Sequence, residues 1–178
     1  LYPTMLRYLD YLKTKEKDGY LPFGLGDWVY WKATTNNEYT STAYYYLDYK
    51  LMARFASLLG KDAAPYQEKA NTLKSLINQK FFNAETGVYA EGTQTAQALA
   101  LYLGLVPEGK EQLVADKLRE VVAGNNYFLD FGLLGSKTVP AMLTKYGYIE
   151  DAMKMITKTE APSWGYWVET MGYSTLPE

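Results

Sequence analysis

An all-α fold built of helical hairpins follows from three observations on the sequence. Apolar residues recur at three- and four-residue spacing in seven segments, each bounded by glycine, proline or a capping residue. Short connections alternate with long ones, so successive helices pair as hairpins. No fixed repeat of about 34 or 40 residues is present, which argues against a solenoid.

The first helix occupies the opening fifteen residues, where Leu6, Leu9 and Leu12 follow Tyr2 and Met5 at helical spacing. Residues 18–28 hold three glycines and one proline and form a loop. A second helix starts near Thr40, with Leu47, Leu51, Phe55 and Leu58 as its apolar stripe and Gly60 as a left-handed stop. Pro65 opens the third, whose stripe is Tyr66, Ala70, Leu73, Ile77 and Phe81. Residues 83–87 make a turn and 88–90 a short extended piece. Thr93 or Thr95 caps a fourth helix, with Ala96, Leu99, Ala100 and Leu103 inward and Gly104 ending it. The fifth runs from about Gly109 to Ala123, with Leu113, Lys117/Leu118 and Val121 on one face. The sixth covers about Ser136 to Tyr146, and a short seventh starts near Ile149, carrying Ala152, Met153 and Ile156. Residues 161–167 are aromatic and non-helical. The long loops are 18–39, 82–92, 124–135 and 158–178; hairpins set side by side gather them at one end.

Composition limits the chemistry. The chain has 178 residues, 48% of them apolar, which predicts one domain with a core of its own. Eighteen Lys and Arg against 20 Asp and Glu leave no basic stripe, so nucleic acid is not an expected partner. No apolar run approaches the ~20 residues of a membrane span. Cysteine is absent, which excludes disulfides and thiolate nucleophiles and leaves the compartment unreadable from redox logic. Histidine is absent too, which excludes a His-dependent triad and His-bound metal. No Asp-rich loop has calcium-binding spacing. No metal and no cofactor is expected, and acid–base work falls to Asp, Glu, Tyr or Lys.

The 18 Tyr and 4 Trp are the surplus, and all four Trp lie in the long loops. Asp27, Trp28, Trp31, Asp130, Trp164, Trp167, Glu169 and Glu178 concentrate there. Indole rings beside carboxylates suit a sugar, whose apolar face stacks on the ring while its hydroxyls bond to Asp, Glu and Tyr. Glycoside hydrolysis needs two carboxyl groups and neither His nor Cys. Each side chain also has a plain structural alternative. Asp27 and Asp130 suit turns or caps, Trp28 a plug, Trp164 a core anchor, and Glu169 and Glu178 solvated charges.

Five segments occur in a telling order: Gly26-Asp27-Trp28; Thr42-Ala43-Tyr44-Tyr45; Gln94-Thr95-Ala96-Gln97-Ala98-Leu99-Ala100-Leu101 with Gly104-Leu105-Val106-Pro107; Leu129-Asp130-Phe131-Gly132-Leu133-Leu134-Gly135; and Pro162-Ser163-Trp164-Gly165-Tyr166. Together they resemble the catalytic (α/α)6 barrel of glycoside hydrolase family 78, the bacterial α-L-rhamnosidases. The resemblance covers almost the whole chain and implies an inverting hydrolase of terminal α-L-rhamnosides, of periplasmic or cytoplasmic location. Trp28 and Trp164 match indoles that face the sugar in that family, and Asp27, Asp130 and Trp167 join them as expected substrate-binding residues. The family's general base ends a Gly-Ala-Thr-Thr-x-Trp-Glu pattern; Gly172 to Glu178 aligns with it and makes Glu178 the catalytic candidate. The chain departs from the pattern at Tyr173 and Pro177, and Phe128 stands where many members carry His.

The family's general acid lies in an acidic segment before Gly-Asp-Trp, and nothing before Gly26 resembles it. Residues 1–178 are therefore expected to be a single fragment of a barrel domain, truncated on both sides, inactive alone and prone to self-association through uncovered helix faces. Two other readings stay open: a non-catalytic helical-hairpin module binding carbohydrate or protein, and another (α/α)6 glycosidase or lyase.

Overall fold

The computed structural model describes residues 1–176. Seven α-helices appear in chain order: α1 (Tyr2–Lys13), α2 (Asn37–Leu58), α3 (Ala64–Phe81), α4 (Gln94–Leu103), α5 (Glu111–Gly124), α6 (Leu133–Lys145) and α7 (Ile149–Thr157). Backbone contacts group the residues into two compact units, one of 1–26 with 36–82 and the other of 27–35 with 83–178.

In the first unit α2 packs along α3 and α1 rests on α2. α2 starts earlier than the expected Thr40 because Asn36, four residues upstream, is its N-cap and accepts the Tyr39 amide on its side chain at 2.9 Å. Its expected apolar stripe is corrected. Leu47, Leu51 and Phe55 are only half-buried, and Leu58 is 72% exposed. The buried face is Tyr39, Thr42, Ala43, Tyr45, Tyr46, Met52, Ala53 and Ala56, also at helical spacing. Alanines let α3 approach closely, and a tyrosine can bury its ring while keeping its polar tip bonded. Tyr45 shows this: its ring is buried and its hydroxyl donates to Glu16 Oε2 at 3.1 Å, where Lys69 also bonds at 2.7 Å. On α3, Ala70, Leu73 and Ile77 are buried as expected.

In the second unit α4 is the hub, packed against both α5 and α6. Residues 94–101 and Leu103 are all buried and Tyr102 alone in the helix is exposed, so two glutamines are buried with the rest. Gln97 accepts the Tyr89 amide at 2.6 Å and donates to the Gly87 carbonyl at 2.8 Å, fixing the loop before the helix. Thr93 is its N-cap and Gly104, at φ 75°, its left-handed end. On α5 the buried stripe is Val114, Ala115, Leu118 and Val122, rotated one position from the expected face; Leu113 and Val121 are half-buried. On α7 the buried apolar residues are Ala152 and Met155, with Met153 exposed.

The segment expected to be non-helical is corrected as well. Residues 164–170 form a helical turn that widens to π geometry over Tyr166–Thr170. Buried Ser163 caps it: its hydroxyl bonds the Lys158 and Glu160 carbonyls and accepts the Tyr166 amide at 3.2 Å. Gly165 is required there by space, since a Cβ would press on the carbonyls of Thr157 and Lys158.

Candidate functional site

The site grows from the start of α6. Asp27 is 3% exposed, and both its oxygens are filled by protein donors. Oδ2 accepts the Gly132 amide at 2.8 Å and the Thr95 hydroxyl; Oδ1 accepts the amides of Leu134 at 2.8 Å and Gly135 at 3.2 Å. The carbonyl of Trp28 takes the remaining amide, Leu133, at 2.9 Å. Two residues more than a hundred positions away thus satisfy all four amides that open the helix, and the carboxylate meets the positive end of its dipole. α6 therefore starts at Leu133 rather than near Ser136. Gly132 fits because it has no Cβ to strike the carbonyls of Asp27 and Trp28.

The segment after Trp28 is pinned again further on. Asp130 Oδ1 accepts the amides of Lys32 at 2.8 Å and Ala33 at 2.9 Å. The hydroxyls of Thr35 and Thr93 share a hydrogen bond of 2.7 Å. Between these anchors Val29 sits at φ 65°, an outlier for a β-branched residue, and turns Val29, Tyr30 and Trp31 outward as a bulge. Asp130 is itself held: its amide donates to Gln94 Oε1 at 3.3 Å, and Gln94 Nε2 donates to the Phe128 carbonyl at 3.0 Å.

The bulge is one wall of a cavity of about 320 Å³. Leu129, Phe131, Gly132, Leu133 and Ser136 make its floor, and Pro162, Trp164, Trp167 and Leu176 the facing wall. The Leu129 amide donates to the Pro162 carbonyl at 3.3 Å and ties floor to wall. Trp31 packs on Phe128 with ring centroids 5.4 Å apart, and the Lys32 ammonium lies 3.6 Å from the Trp31 centroid. Among the described residues the lining side chains are aromatic or aliphatic apart from the hydroxyls of Ser136 and Tyr30, and none is charged. Loops 27–35, 125–132 and 158–176 thus meet at one place in this unit.

Of the residues expected to bind substrate, Trp164 and Trp167 line the cavity. Trp28 is 56% exposed and lies just outside the lining, beside Val29. Asp27 and Asp130 stand behind the walls, each bonded to backbone amides, as the cap alternative has it. Glu178 lies outside the described residues. Trp31 was not among the expected binding residues, although its place with the other loop tryptophans was a signal for it. Among the described residues no group of three Asp or Glu is placed to hold a metal, and no helix is long and apolar enough to cross a membrane.

Helical hairpins whose loops build an aromatic cleft over buried carboxylates make up this part of an all-α fold. The chain belongs to the bacterial alpha-L-rhamnosidase 6 hairpin glycosidase domain family, which matches residues 1–178. It is 33% identical over 178 residues to an alpha-L-rhamnosidase of Streptomyces avermitilis, covering 99% of this chain and 17% of that protein. An alpha-L-rhamnosidase of Formosa agariphila is 30% identical, with 94% and 19% covered. Among solved structures, the Streptomyces avermitilis alpha-L-rhamnosidase complexed with L-rhamnose superposes with a TM-score of 0.89 at 29% identity, over 95% of this chain and 16% of that one. The alpha-L-rhamnosidase from Dictyoglumus thermophilum gives 0.85 at 35% identity, with 95% and 20% covered. The expected fold class, hairpins of an (α/α)6 glycosidase, is borne out. The chain spans between a sixth and a fifth of the length of these relatives.

Proposed function

We propose that the chain works within a longer α-L-rhamnosidase, an inverting hydrolase that releases terminal α-L-rhamnosyl groups from glycosides or polysaccharides. The observation that carries this reading is the cavity walled by Trp31, Trp164 and Trp167 in a chain whose relatives are named alpha-L-rhamnosidase. The exposed indole of Trp28, next to the cavity wall, offers a face on which a rhamnosyl ring stacks. Asp27 and Asp130 hold the walls.

In the reaction, the oxygen of a water bonds to the anomeric carbon as the bond to the leaving oxygen breaks. A carboxylic acid supplied by the longer protein gives its proton to the leaving oxygen, and Glu178, ionised, takes the proton of the water. Room for that water sets the two carboxyl groups ~6.5–9.5 Å apart.

The test uses the full-length protein with 4-nitrophenyl α-L-rhamnoside, following release of 4-nitrophenol and, by NMR, the anomer first formed. Hydrolysis to β-L-rhamnose supports the reading; first formation of the α anomer overturns inversion. Glu178→Gln is expected to lower kcat about 10²–10⁴-fold. Unchanged turnover in that variant removes Glu178 from the role.

A further inference from the structure

We propose that Tyr127 is a positioning residue for the cavity: its left-handed backbone aims the chain from the end of α5 into the cavity floor, and Asp151 of α7 keeps it so. This rests on the rhamnosidase reading above. α5 ends in a Schellman turn, in which the Asn126 amide donates to the Ala123 carbonyl at 2.9 Å and the Tyr127 amide to the Val122 carbonyl at 3.0 Å. That motif needs one left-handed residue. Asn126 supplies it at φ 51°, a conformation that asparagine accepts. Tyr127 follows at φ 62°, which the motif does not require and a bulky side chain disfavours. Such a residue persists only where its surroundings hold it.

The hold comes from α7. The Lys154 ammonium lies 5.0 Å from the centroid of the Tyr127 ring. Buried Asp151 keeps that ammonium 3.6 Å from its Oδ1 and takes a hydrogen bond from the Tyr127 hydroxyl. Arg119 of α5 closes the group, its Nε donating to Asp151 Oδ2 at 2.8 Å. The ring is clamped between two helices while the backbone turns beneath it. The residues that follow the turn are the cavity floor. Phe128 packs its ring on Trp31, and its carbonyl accepts Gln94 Nε2 at 3.0 Å. Leu129 and Phe131 line the cavity, and Asp130 between them holds the amides of Lys32 and Ala33. A chain leaving α5 in another direction carries all four residues away from these contacts.

The experiment measures KM and kcat of the full-length protein for 4-nitrophenyl α-L-rhamnoside, below the melting temperature of every variant. Tyr127→Ala removes the clamp and keeps the left-handed penalty, and is expected to raise KM about five- to tenfold with a smaller change in kcat. Tyr127→Gly removes the same ring yet accepts φ 62° freely, and is expected to bring KM to within about twofold of wild type. A merely structural role for the ring orders the two variants the other way, since glycine lacks one more carbon and loosens the chain. Asp151→Ala is expected to raise KM in the same direction as Tyr127→Ala, and serves if that variant does not fold. With both alanine substitutions combined, KM is expected to equal that of Tyr127→Ala, because one residue acts through the other. A KM unmoved by either alanine substitution, or as high in Tyr127→Gly as in Tyr127→Ala, overturns the proposal while leaving the rhamnosidase reading intact. Effects that multiply in the double variant remove Asp151 from the role. A wild-type protein that does not cleave the rhamnoside overturns the rhamnosidase reading, and this proposal with it.

Discussion

Asp27 shows how one side chain carries more structure than its neighbours in sequence suggest. It is buried, it is acidic, and it is bonded to the Thr95 hydroxyl and to the amides of Gly132, Leu134 and Gly135. A buried carboxylate is tolerable only when its lone pairs are filled by donors, and here three of those donors are amides that would otherwise open α6 unpaired. Asp27→Ala strands them, with an expected loss of about 3–5 kcal/mol in urea unfolding. Asp27→Asn keeps one acceptor oxygen but turns an amide group toward a donor, so its loss should fall between wild type and alanine. Equal midpoints for all three proteins would show that the cap is not coupled to folding. The sequence placed Asp27 in a Gly-Asp-Trp turn and left cap and ligand roles open. That it caps the sixth helix could not be read, because its amide partners there are 105 to 108 residues away. Trp164 and Trp167 were singled out because all four Trp fall in the long loops, and both line the cavity. Trp31 was passed over because only the two clamps around it turn the 29–31 bulge toward the cavity.

At the scale of elements, spacing located helices well and faces less well. All seven α-helices of the described residues were found, and the glycine stops at Gly60 and Gly104 lie at left-handed φ values of 65° and 75°. The buried face of α2 was misplaced because leucine was taken as the mark of the core, whereas this helix packs through tyrosine and alanine. The π turn at Tyr166–Thr170 was missed because Ser163 caps it from a segment that reads locally as loop. α2 also carries a titratable anomaly. Asp48 has its pKa pushed from 3.8 up to about 6 by burial. The Tyr8 hydroxyl is raised as well, first by its own burial and then by the Asp48 charge. A carboxyl that binds its proton more tightly in the folded state stabilises the fold below pH 4, and that stability is lost as pH rises from about 4 through 6. Asp48→Asn is therefore expected to raise stability by about 1–2 kcal/mol at pH 7.5, discounted for partial exposure, and to change nothing at pH 3.5. A gain of equal size at both pH values would assign the effect to something other than titration. Gly132→Ala tests the contact between segment 27–28 and α6. Its Cβ meets two carbonyls rather than a movable side chain, so a loss of about 2 kcal/mol or more is expected in thermal unfolding.

For the whole chain, the order of segments matters more than their content. The second unit takes residues 27–35 from before α2 and everything from 83 onward, so its cavity is discontinuous in sequence. That piece supplies the cap of α6, both amides bonded to Asp130 Oδ1, and the Thr35 hydroxyl at Thr93. A protein of residues 83–178 alone keeps α4 to α7 but has four unpaired amides at α6, no partner for Asp130 Oδ1 and one missing cavity wall. It is expected to unfold at lower urea and with a shallower transition than a protein in which residues 27–35 are joined to it through a flexible glycine-serine linker. The joined protein regains the bonds at little expense in chain entropy, since lengthening a flexible connection adds only about 0.6 kcal/mol per doubling. Putting Asp27→Ala into the joined protein is expected to erase most of the gain, because the segment then returns without its principal contact. If the two proteins have the same urea midpoint, residues 83–178 hold their helices without the 27–35 segment. The hydrogen bonds around Asp27 and Asp130 would then shape the cavity without stabilising the fold.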